Sequence, residues 1–405
     1  MLTRLSQPDA PLPARQLLSV MSGTSLDGMD ALLVRLERPA GQGRLHWQVL
    51  ARQSMPYPEA LRARLQAALN PETSDVVLLT QLHREVGDAY AACCSALLET
   101  EASLSVDLIA LSGQTVYHIP RADPSRAWQT PSSLQLGEAS VVASRCRLPV
   151  MADFRQADMA AGGQGAPMVA FGDWQLYQQP GCARAIHNLG GISNLTYLPA
   201  DADLEGVFAF DTGPANCILD EAAQQYFQQA YDQGGRLAAQ GKVQSDLLAH
   251  WLRDPYFHSP APKTTGREAF NLARLQDYSA RAGLELQRYQ PHDLLATISA
   301  LTAESIAQAY ADNVVAHGLD EILLAGGGAY NPDLLSRLEQ ALKRRGVSAS
   351  LRTFESLGYQ AKDREALSFA VMAYFALFGL PNTLPKATGA AHAVIAGKLS
   401  QSPRC

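Results

Sequence analysis

The sequence predicts an α/β fold with two lobes, and three observations lead to that prediction. At 405 residues the chain exceeds what one hydrophobic core normally supports, so two domains are expected. Apolar segments of strand length alternate with segments of helical periodicity, a pattern typical of sheets layered against helices. Glycine-rich turns follow strand-like segments at three widely spaced places, as expected where a nucleotide binds in a cleft between lobes. They are Met21–Gly28, Phe210–Asn216 and Leu324–Asn331.

The N-terminal half opens with strands and then becomes helical. Residues 1–15 contain three prolines and lack the apolar core of a signal peptide, so we expect a flexible extension there. Further on, Leu78, Leu82 and Val86 recur at helical spacing, whereas shorter apolar segments are bounded by turn residues. The predicted strands are 16–20, 30–36, 45–52, 107–111 and 149–152, and the predicted helices are 58–69, 74–103 and 169–178.

The C-terminal half alternates in the same way. Its best-marked helix is 332–345, which has Asn331 as the N-cap, Pro332 in the first turn and leucines along one face. The segment 255–275 is rich in Pro, Lys and Thr and is expected to be a loop. The predicted strands are 185–189, 194–198, 207–210 and 321–325, and the predicted helices are 215–230, 243–253, 292–317, 332–345 and 363–378.

Composition narrows the classes of partner. The net charge of −6 argues against a nucleic-acid partner, for which a basic surface is expected. The longest apolar run, 369–378, is too short to cross a bilayer. Six cysteines are dispersed without a CxxC pair, which is typical of reduced thiols in a cytosol. We therefore expect a cytoplasmic protein without nucleic-acid or membrane partners.

The first glycine turn, 22–28, has the composition of a phosphate-binding loop. Its glycines allow close backbone approach, and Thr24 and Ser25 add hydroxyl donors. Asp27 or Asp30 could hold Mg²⁺ directly or through water, because Mg²⁺ prefers a few carboxylates plus solvent. Alternatively, the segment is a strand-to-strand turn whose polar side chains only satisfy the backbone.

The second turn places the carboxylate of Asp211 at the end of a buried strand and before a helix. Ligands of open α/β sheets bind at such strand ends, so Asp211 could act as a general base on a hydroxyl or a water. Alternatively, Asp211 is the N-cap of the helix that follows, a common role for Asp in that position.

The remaining motifs are also compatible with ligand binding. Gly326–Ala329 lets a planar ligand lie against bare backbone, or simply forms a tight βα turn; it is not a P-loop, since no Walker lysine follows. Arg155 can bind a carboxylate or phosphate with its two-pronged guanidinium, and the loop Lys263–Glu268 combines cations with hydroxyls. Internal ion pairs and solvated charges are the alternatives. The histidines, such as His83 and His187, lack the spacing of metal ligands.

Seven motifs together resemble those of the anhydro-N-acetylmuramic acid kinase family. The resemblance is collinear and covers residues 17 to 396. The motifs are Met21–Asp30, Gly113–Thr115 with His118, Ala152–Arg155 continued by Gly162–Pro167, Asn188–Asn194, Phe210–Asn216, Lys263–Glu268 and Gly326–Ala329.

This resemblance implies a two-lobed actin/hexokinase-like (ribonuclease H-like) ATPase fold with an interlobe cleft. It also implies the reaction. The 1,6-anhydro ring of 1,6-anhydro-N-acetylmuramic acid is opened by water while O6 is phosphorylated by Mg-ATP, giving N-acetylmuramic acid 6-phosphate and ADP during peptidoglycan recycling. Asp211 matches the family's catalytic aspartate. The cofactors are ATP and Mg²⁺, the sugar is the small-molecule partner, and the family suggests a homodimer.

The matching motifs assign site residues to each ligand. Asp27 is the candidate for Mg²⁺ held through water, and Arg155 for the lactyl carboxylate of the sugar. The residues expected at ATP are Gly23, Thr24, Ser25, Leu26, Asp27, Gly28, Met29, Asp30 and Gly213 for the phosphates and Gly326, Gly327, Gly328 and Ala329 for the adenosine. The residues expected at the sugar are Gln114, Thr115, Arg155, Asn216 and Glu365.

The same match divides the chain and leaves alternatives open. Lobe I is expected at 16–145 plus 380–405 and lobe II at 146–379. The family usually has a histidine where this chain has Ser112, which puts any role of that histidine in doubt. A kinase for a different sugar on the same fold is the main alternative. A non-catalytic actin-like nucleotide switch is a second alternative, although it does not require the loops 162–167 and 263–268.

Overall fold

The computed structural model describes residues 10–23, 25–40, 44–101, 103–201 and 203–401. The chain divides into two compact units, Met1–Tyr177 with Asp363–Cys405 and Gln178–Lys362. The strands are β1 (Leu12–Met21), β2 (Gly28–Arg38), β3 (His46–Pro56), β4 (Leu108–Leu111), β5 (Gln114–Ile119), β6 (Ser132–Leu136), β7 (Val150–Ala152), β8 (Arg184–Leu189), β9 (Ile192–Leu198), β10 (Phe208–Pro214), β11 (Glu321–Ala325), β12 (Ser350–Thr353) and β13 (Lys398–Ser400). The helices are α1 (Glu59–Ala68), α2 (Val76–Thr100), α3 (Ala139–Cys146), α4 (Gln156–Ala160), α5 (Val169–Tyr177), α6 (Cys217–Phe227), α7 (Ser245–Trp251), α8 (Pro255–His258), α9 (Leu272–Ala280), α10 (Pro291–Asn313), α11 (Pro332–Arg344), α12 (Arg364–Leu377) and α13 (Pro385–Thr388).

Each unit contains one mixed sheet, and the two sheets share a strand arrangement. The first sheet has the order β13-β7-β4-β1-β2-β3, and the second has the order β10-β9-β8-β11-β12. In both, three consecutive strands form an antiparallel meander, and two later strands extend it in parallel from its first strand. This is the order of a ribonuclease H-like sheet, and the predicted α/β class is confirmed. The chain thus repeats one topology without a recognisable sequence repeat.

The residue pattern of a strand reflects how deeply the strand is buried, as β11 and β3 illustrate. Strand β11 is buried along its whole length, because helices cover both faces of a central parallel strand, and such strands read as continuous apolar runs. Strand β3 is an edge strand whose residues alternate between exposed and half-buried. The core of the first unit joins β1 and β2 to α2, with Leu18, Leu33 and Val86 fully buried. In the described part of the second unit, one apolar cluster packs against the sheet and another lies among the helices.

The unit boundaries lie at 177/178 and 362/363, whereas the sequence predicted 145/146 and 379/380. Packing explains the difference. Strand β7 extends the first sheet next to β4, and α5 packs against α12. A buried ion pair between Asp173 and Arg364 joins these two helices. Both segments therefore belong to the first unit, although local sequence patterns do not show it.

Two predicted loop regions contain regular structure. The expected flexible extension was too long, because Leu12–Arg15 belongs to β1. Leu12 pairs with Arg38 of β2, and the hydroxyl of Tyr374 donates to the carbonyl oxygens of Leu12 and Pro13 at 3.1 and 3.0 Å. Residues 1–9 lie outside the described part of the chain.

The segment 255–275 was also wrongly predicted to be irregular. It contains all of α8 and the start of α9. Side-chain caps explain both helices: Asp254 accepts a hydrogen bond from the backbone N–H of Tyr256, and Asn271 accepts one from that of Arg274. In the described residues, no helix is both long enough and apolar enough to span a membrane.

Candidate active site

The second unit positions Asp211 on a bulge near the end of β10. The pairing of β10 with β9 shifts between Asp211 and Gly213, so this strand carries one extra residue there. Gly213 has φ = 138°, and a Cβ atom on it would lie 2.7 Å from the Phe257 ring. Glycine is therefore required for the bulge, and a bulge re-aims the neighbouring side chains.

Asp211 is held by the loop 263–268, which was singled out from sequence. Its Oδ2 accepts a hydrogen bond from the backbone N–H of Thr265 at 2.8 Å, and its own N–H donates to the Lys263 carbonyl at 2.9 Å. The Tyr256 hydroxyl donates to the carbonyl oxygen of Asp211 at 2.7 Å. The N-cap position of α6 belongs to Asn216, so the alternative N-cap role of Asp211 is wrong.

The surroundings of Asp211 favour its protonated form near neutrality. Burial raises the pKa of Asp211, the Thr265 N–H lowers it and the negative charge of Glu268 raises it again, and the net pKa is about 7. A carboxylate with a pKa near 7 accepts a proton more readily than an ordinary aspartate, which suits a general base.

Asn216 fastens the turn Gly190–Gly191 to the start of α6. Its Nδ2 donates to the carbonyl oxygens of Leu189 and Gly190, both at 2.9 Å. The backbone N–H groups of residues 215–217 donate to the carbonyls of Gly190 and Gly191. The polar side chain of Asn216 therefore organises the turn beside the Asp211 strand.

The glycine loop 326–329 lies against this same turn. Gly326 has φ = 80°, and a Cβ atom there would lie 2.6 Å from Oδ1 of Asn188. At Gly328 a Cβ atom would lie 2.8 Å from the Cβ of Leu189 and 3.3 Å from Oδ1 of Asn216. Gly327 is open, with its nearest neighbour 3.9 Å from a Cβ position. The second unit thus brings Asp211, Gly213, Asn216 and the loop 326–329 into one neighbourhood.

Buried polar residues of the first unit hold the turn 22–28 through hydrogen bonds. The backbone N–H of Ser22 donates to Oγ of Ser112 at 3.2 Å, and Nε2 of Gln114 donates to the Gly23 carbonyl at 3.1 Å. Oε1 of Gln114 accepts from the Tyr57 hydroxyl at 3.2 Å, and the residue is fully buried. Gln114 therefore supports the glycine turn with both ends of its amide.

The predicted phosphate-binding residues differ in exposure. Leu26, with φ = 58°, and Met29 are buried, whereas Ser25 is exposed. Gly28 pairs with Pro56, and a Cβ atom there would collide with the Met55 carbonyl. The predicted Thr24 lies outside the described residues.

The two candidate metal-binding carboxylates, Asp27 and Asp30, have different partners. The Asp27 side chain is 78% exposed, 3.8 Å from the Arg62 guanidinium, and Asp30 accepts from the Ser54 hydroxyl at 2.5 Å. Within the described ranges, no group of three or more His, Cys, Asp or Glu side chains could hold a metal ion. A single open carboxylate suits Mg²⁺ that arrives with a nucleotide and keeps its waters.

The predicted sugar contacts Arg155 and Glu365 lie close to one another in the first unit. Nη1 of Arg155 donates to the Gly165 carbonyl at 2.6 Å, and its Nε is buried without a hydrogen-bond partner among the described residues. Burial raises the pKa of Glu365, and the charges of Asp173 and Asp30 add to that effect, while Arg364 and Arg155 oppose it. The charges of Asp30 and Arg155 therefore both act on the carboxyl group of Glu365.

Thr115 and His118 lie on the hairpin formed by β5 and β6. Oγ1 of Thr115 accepts from Nε2 of Gln135 at 3.2 Å. Nδ1 of His118 lies 2.9 Å from Oγ of Ser133, and burial, helped by Arg155, lowers the pKa of His118 to about 4. His118 is therefore neutral at physiological pH.

Comparison with known proteins identifies the family. The model of the family described as anhydro-N-acetylmuramic acid kinase matches residues 15–402. The chain belongs to this family.

Individual relatives cover nearly the whole chain. The anhydro-N-acetylmuramic acid kinase of Bacillus cereus (strain AH820) is 36% identical over 388 residues, covering 95% of this chain and 98% of that protein. The enzyme of the same name from Caldanaerobacter subterraneus subsp. tengcongensis is 36% identical over 393 residues, covering 95% and 97%. Among solved structures, a ROK family glucokinase from Streptomyces griseus in complex with glucose and AMPPNP aligns over 88% of this chain and 98% of its own, with 13% identity and a TM-score of 0.39.

Ser112 occupies the position at which the family resemblance predicts a histidine. Its hydroxyl accepts from the N–H of Ser22 and donates to the Gly113 carbonyl at 3.3 Å. The serine thus fixes the start of the glycine turn without a titratable ring. No acid–base function follows from this position in this member of the family.

Sequence reasoning missed a row of buried, hydrogen-bonded polar side chains that ends at Thr212, next to Asp211. Nε2 of His187 lies 2.7 Å from Oγ of Ser193, which lies 2.5 Å from Oγ1 of Thr212. Nδ1 of His187 lies 2.9 Å from the hydroxyl of Tyr310. His187 was regarded as one of several scattered histidines. Its position at the centre of an apolar strand, with Ser193 in a family motif, was the available signal.

Proposed function

We propose that this chain is an ATP-dependent kinase that hydrolytically opens the 1,6-anhydro ring of 1,6-anhydro-N-acetylmuramic acid and phosphorylates O6. Family membership over nearly the whole chain supports the substrate. The observation that supports the chemistry best is Asp211, a partly buried carboxylate with a pKa of about 7 that is fixed by the backbone of Thr265.

The proposed reaction couples two bond changes. Asp211 accepts a proton from water as the water oxygen attacks C1 of the sugar, and the C1–O6 bond breaks. O6 then bonds to the γ-phosphorus of ATP, and the bond between that phosphorus and the β,γ-bridging oxygen breaks to release ADP. The proton passes to solvent on product release. The arrangement resembles half of an inverting glycosidase, with phosphoryl transfer in place of leaving-group protonation.

The proposed ligand contacts follow the family motifs. Residues 23–30 and Gly213 are proposed to bind the ATP phosphates, and Gly326–Ala329 the adenosine. Asp27 is proposed to contact through water the Mg²⁺ that accompanies ATP, which its exposure permits. The sugar contacts are proposed to include Thr115, Arg155, Asn216 and Glu365. Gln114, which was also predicted at the sugar, is proposed to act through the glycine turn that it holds.

The cellular setting extends the same proposal. The product, an amino-sugar phosphate, would return cell-wall material to metabolism, so we propose peptidoglycan recycling in the cytoplasm. The family resemblance supports a homodimer, and light scattering on the purified protein would measure its mass. The net charge of −6 supports the absence of a nucleic-acid partner.

The proposal is tested by ADP release with Mg-ATP and four conditions: 1,6-anhydro-N-acetylmuramic acid, N-acetylmuramic acid, N-acetylglucosamine and no sugar. We expect activity with the anhydro sugar only. Activity on a sugar with a free 6-hydroxyl instead would assign a different kinase substrate, and ADP release without sugar dependence would contradict the kinase function.

Asp211→Asn tests the proposed base directly. We expect turnover to fall by about 100-fold or more, since general-base catalysis typically contributes that factor. ATP affinity, measured by calorimetric titration, should stay within about twofold. Unchanged turnover would remove Asp211 from the mechanism.

A further inference from the structure

The loop 263–268 holds Asp211, and it also carries a cation, Arg267, that makes no direct polar contact with a described side chain. Arg267 is exposed, and its guanidinium forms no ion pair or hydrogen bond with a described residue, although its charge lowers the pKa of Asp220 from a greater distance. The second cation of the loop is different. Lys263 is buried, and its ammonium donates to the carbonyls of Tyr256 and Phe257 at 2.8 and 3.3 Å. Arg267 is therefore the cation of this loop that remains available to a ligand.

The position of Arg267 is built into the fold by Gly191. A Cβ atom at residue 191 would lie 2.9 Å from Nη2 and 3.1 Å from Nε of Arg267, so the guanidinium occupies the space that a side chain would fill. The carbonyl of Gly191 in turn accepts from the N–H of Ala215, which follows the strand of Asp211. The glycine thus allows a cation to rest on the turn next to that strand.

Carboxylates lie near Arg267, and this explains why an anionic ligand would need a cation there. The charge of Glu268 raises the pKa of Asp211, and that of Glu221 raises the pKa of Asp220, on which Arg267 acts in the opposite direction. The proposed substrates, ATP and a sugar acid, are both anions. Without a cation their oxyanions would meet an acidic surface, and an exposed guanidinium can bind carboxylate or phosphate in a two-pronged geometry.

We propose that Arg267, seated on Gly191, binds an oxyanion of a substrate at the Asp211 site. This inference rests on the proposed function. Two oxyanions have the required chemistry: a phosphate of ATP and the lactyl carboxylate of the sugar.

Arg267→Gln tests the proposal, with Arg253→Gln as the matched control. Arg253 is also an exposed arginine of the second unit, and it forms no ion pair with a described residue. The first measurement is Mg-ATP affinity without sugar. The second is the ratio of kcat/KM for 1,6-anhydro-N-acetylmuramic acid to that for 1,6-anhydro-N-acetylglucosamine, which lacks the lactyl group.

A loss of about 10- to 100-fold in ATP affinity would identify a phosphate as the ligand, since a charge-assisted hydrogen bond contributes about that much. A similar fall in the sugar ratio would identify the carboxylate. If Arg267→Gln matches Arg253→Gln in both measurements, the proposal is overturned. An inactive wild type would contradict the proposed function, and the ATP titration would still report on Arg267.

Gly191→Ala keeps the test independent of charge removal. The added methyl displaces the flexible guanidinium, so we expect it to reproduce the loss caused by Arg267→Gln. In the Arg267→Gln background the same methyl should have little further effect, because the two changes act on one interaction. Fully additive losses would contradict the seating of Arg267 on Gly191. Arg267→Lys should restore part of a phosphate interaction and less of a carboxylate one.

Discussion

At the scale of single residues, neighbours decide what a side chain can do. An isolated aspartate has a pKa near 4, whereas burial beside Glu268 brings the pKa of Asp211 to about 7. At Gln114, by contrast, the neighbours occupy a side chain that was predicted to bind a ligand. It was predicted at the sugar, but both ends of its amide are used within the protein, at Gly23 and Tyr57. Its contribution to a substrate would therefore pass through the position of the glycine turn.

The pKa of Asp211 predicts the pH dependence of catalysis. A general base must be deprotonated, so kcat/KM should rise with pH and level off above about 7. Glu268→Gln removes a negative charge that raises this pKa, so the rising limb should move to lower pH by a fraction of a unit.

The measurement is a pH–rate profile of wild type and Glu268→Gln, with Glu339→Gln as an exposed control on α11. The control should leave the profile unchanged. A limb that stays in place in Glu268→Gln, or moves to higher pH, would show that Glu268 does not act on the base.

At the scale of elements, α12 is fixed by its first turn. The Arg364 side chain is 3% exposed, and that of Asp173 is fully buried. Nε of Arg364 donates a hydrogen bond to Oδ1 of Asp173 at 2.7 Å. One helical turn on, α12 approaches α5 closely, since a Cβ atom at Gly172 would lie 2.6 Å from the Cα of Ser368. These contacts orient the turn that presents Glu365.

Asp173→Ala should destabilise the protein strongly. The change leaves the Arg364 charge buried without its partner, and breaking such a pair typically costs about 3–5 kcal/mol. Urea unfolding measures the free energy of unfolding of the wild type and of each variant. The control is Asp88→Ala, which removes two more exposed ion pairs, with Arg84 and Arg145, and should cost about 0–1 kcal/mol for each. Equal losses in the two variants would contradict the importance of burial.

At the scale of the whole molecule, the two units differ in how the chain builds them. The second unit is one continuous segment, 178–362, with its own sheet and its own apolar clusters. The first unit combines 1–177 with 363–405, because α12 packs on β1 and β13 pairs with β7. Folding of the first unit therefore needs both ends of the chain.

Expression of the separated segments tests this difference. We expect residues 178–362 to unfold cooperatively on heating, as a domain with its own core does. Residues 1–177 should not, because they lack α12, which buries Phe369, Met372 and Tyr374. Thermal scans by circular dichroism measure both. A cooperative transition in 1–177 alone would show that α12 is dispensable.

The sequence by itself determined the local features of this protein. Apolar periodicity predicted most strands and helices, and Asn331 was correctly predicted as the cap of α11, where it accepts a hydrogen bond from the N–H of Leu334. The glycine turns and Asp211 were recognisable because a motif is contiguous and its chemistry follows from residue type.

Only the tertiary structure decided which segments meet. The hydrogen bond from Thr265 to Asp211 joins residues 54 positions apart, and the seat of Arg267 on Gly191 is equally non-local. The unit boundaries likewise depend on α12 packing with strands from the other end of the chain. Such contacts depend on the relative placement of whole elements, and that placement is set by the summed packing of both cores rather than by any local pattern.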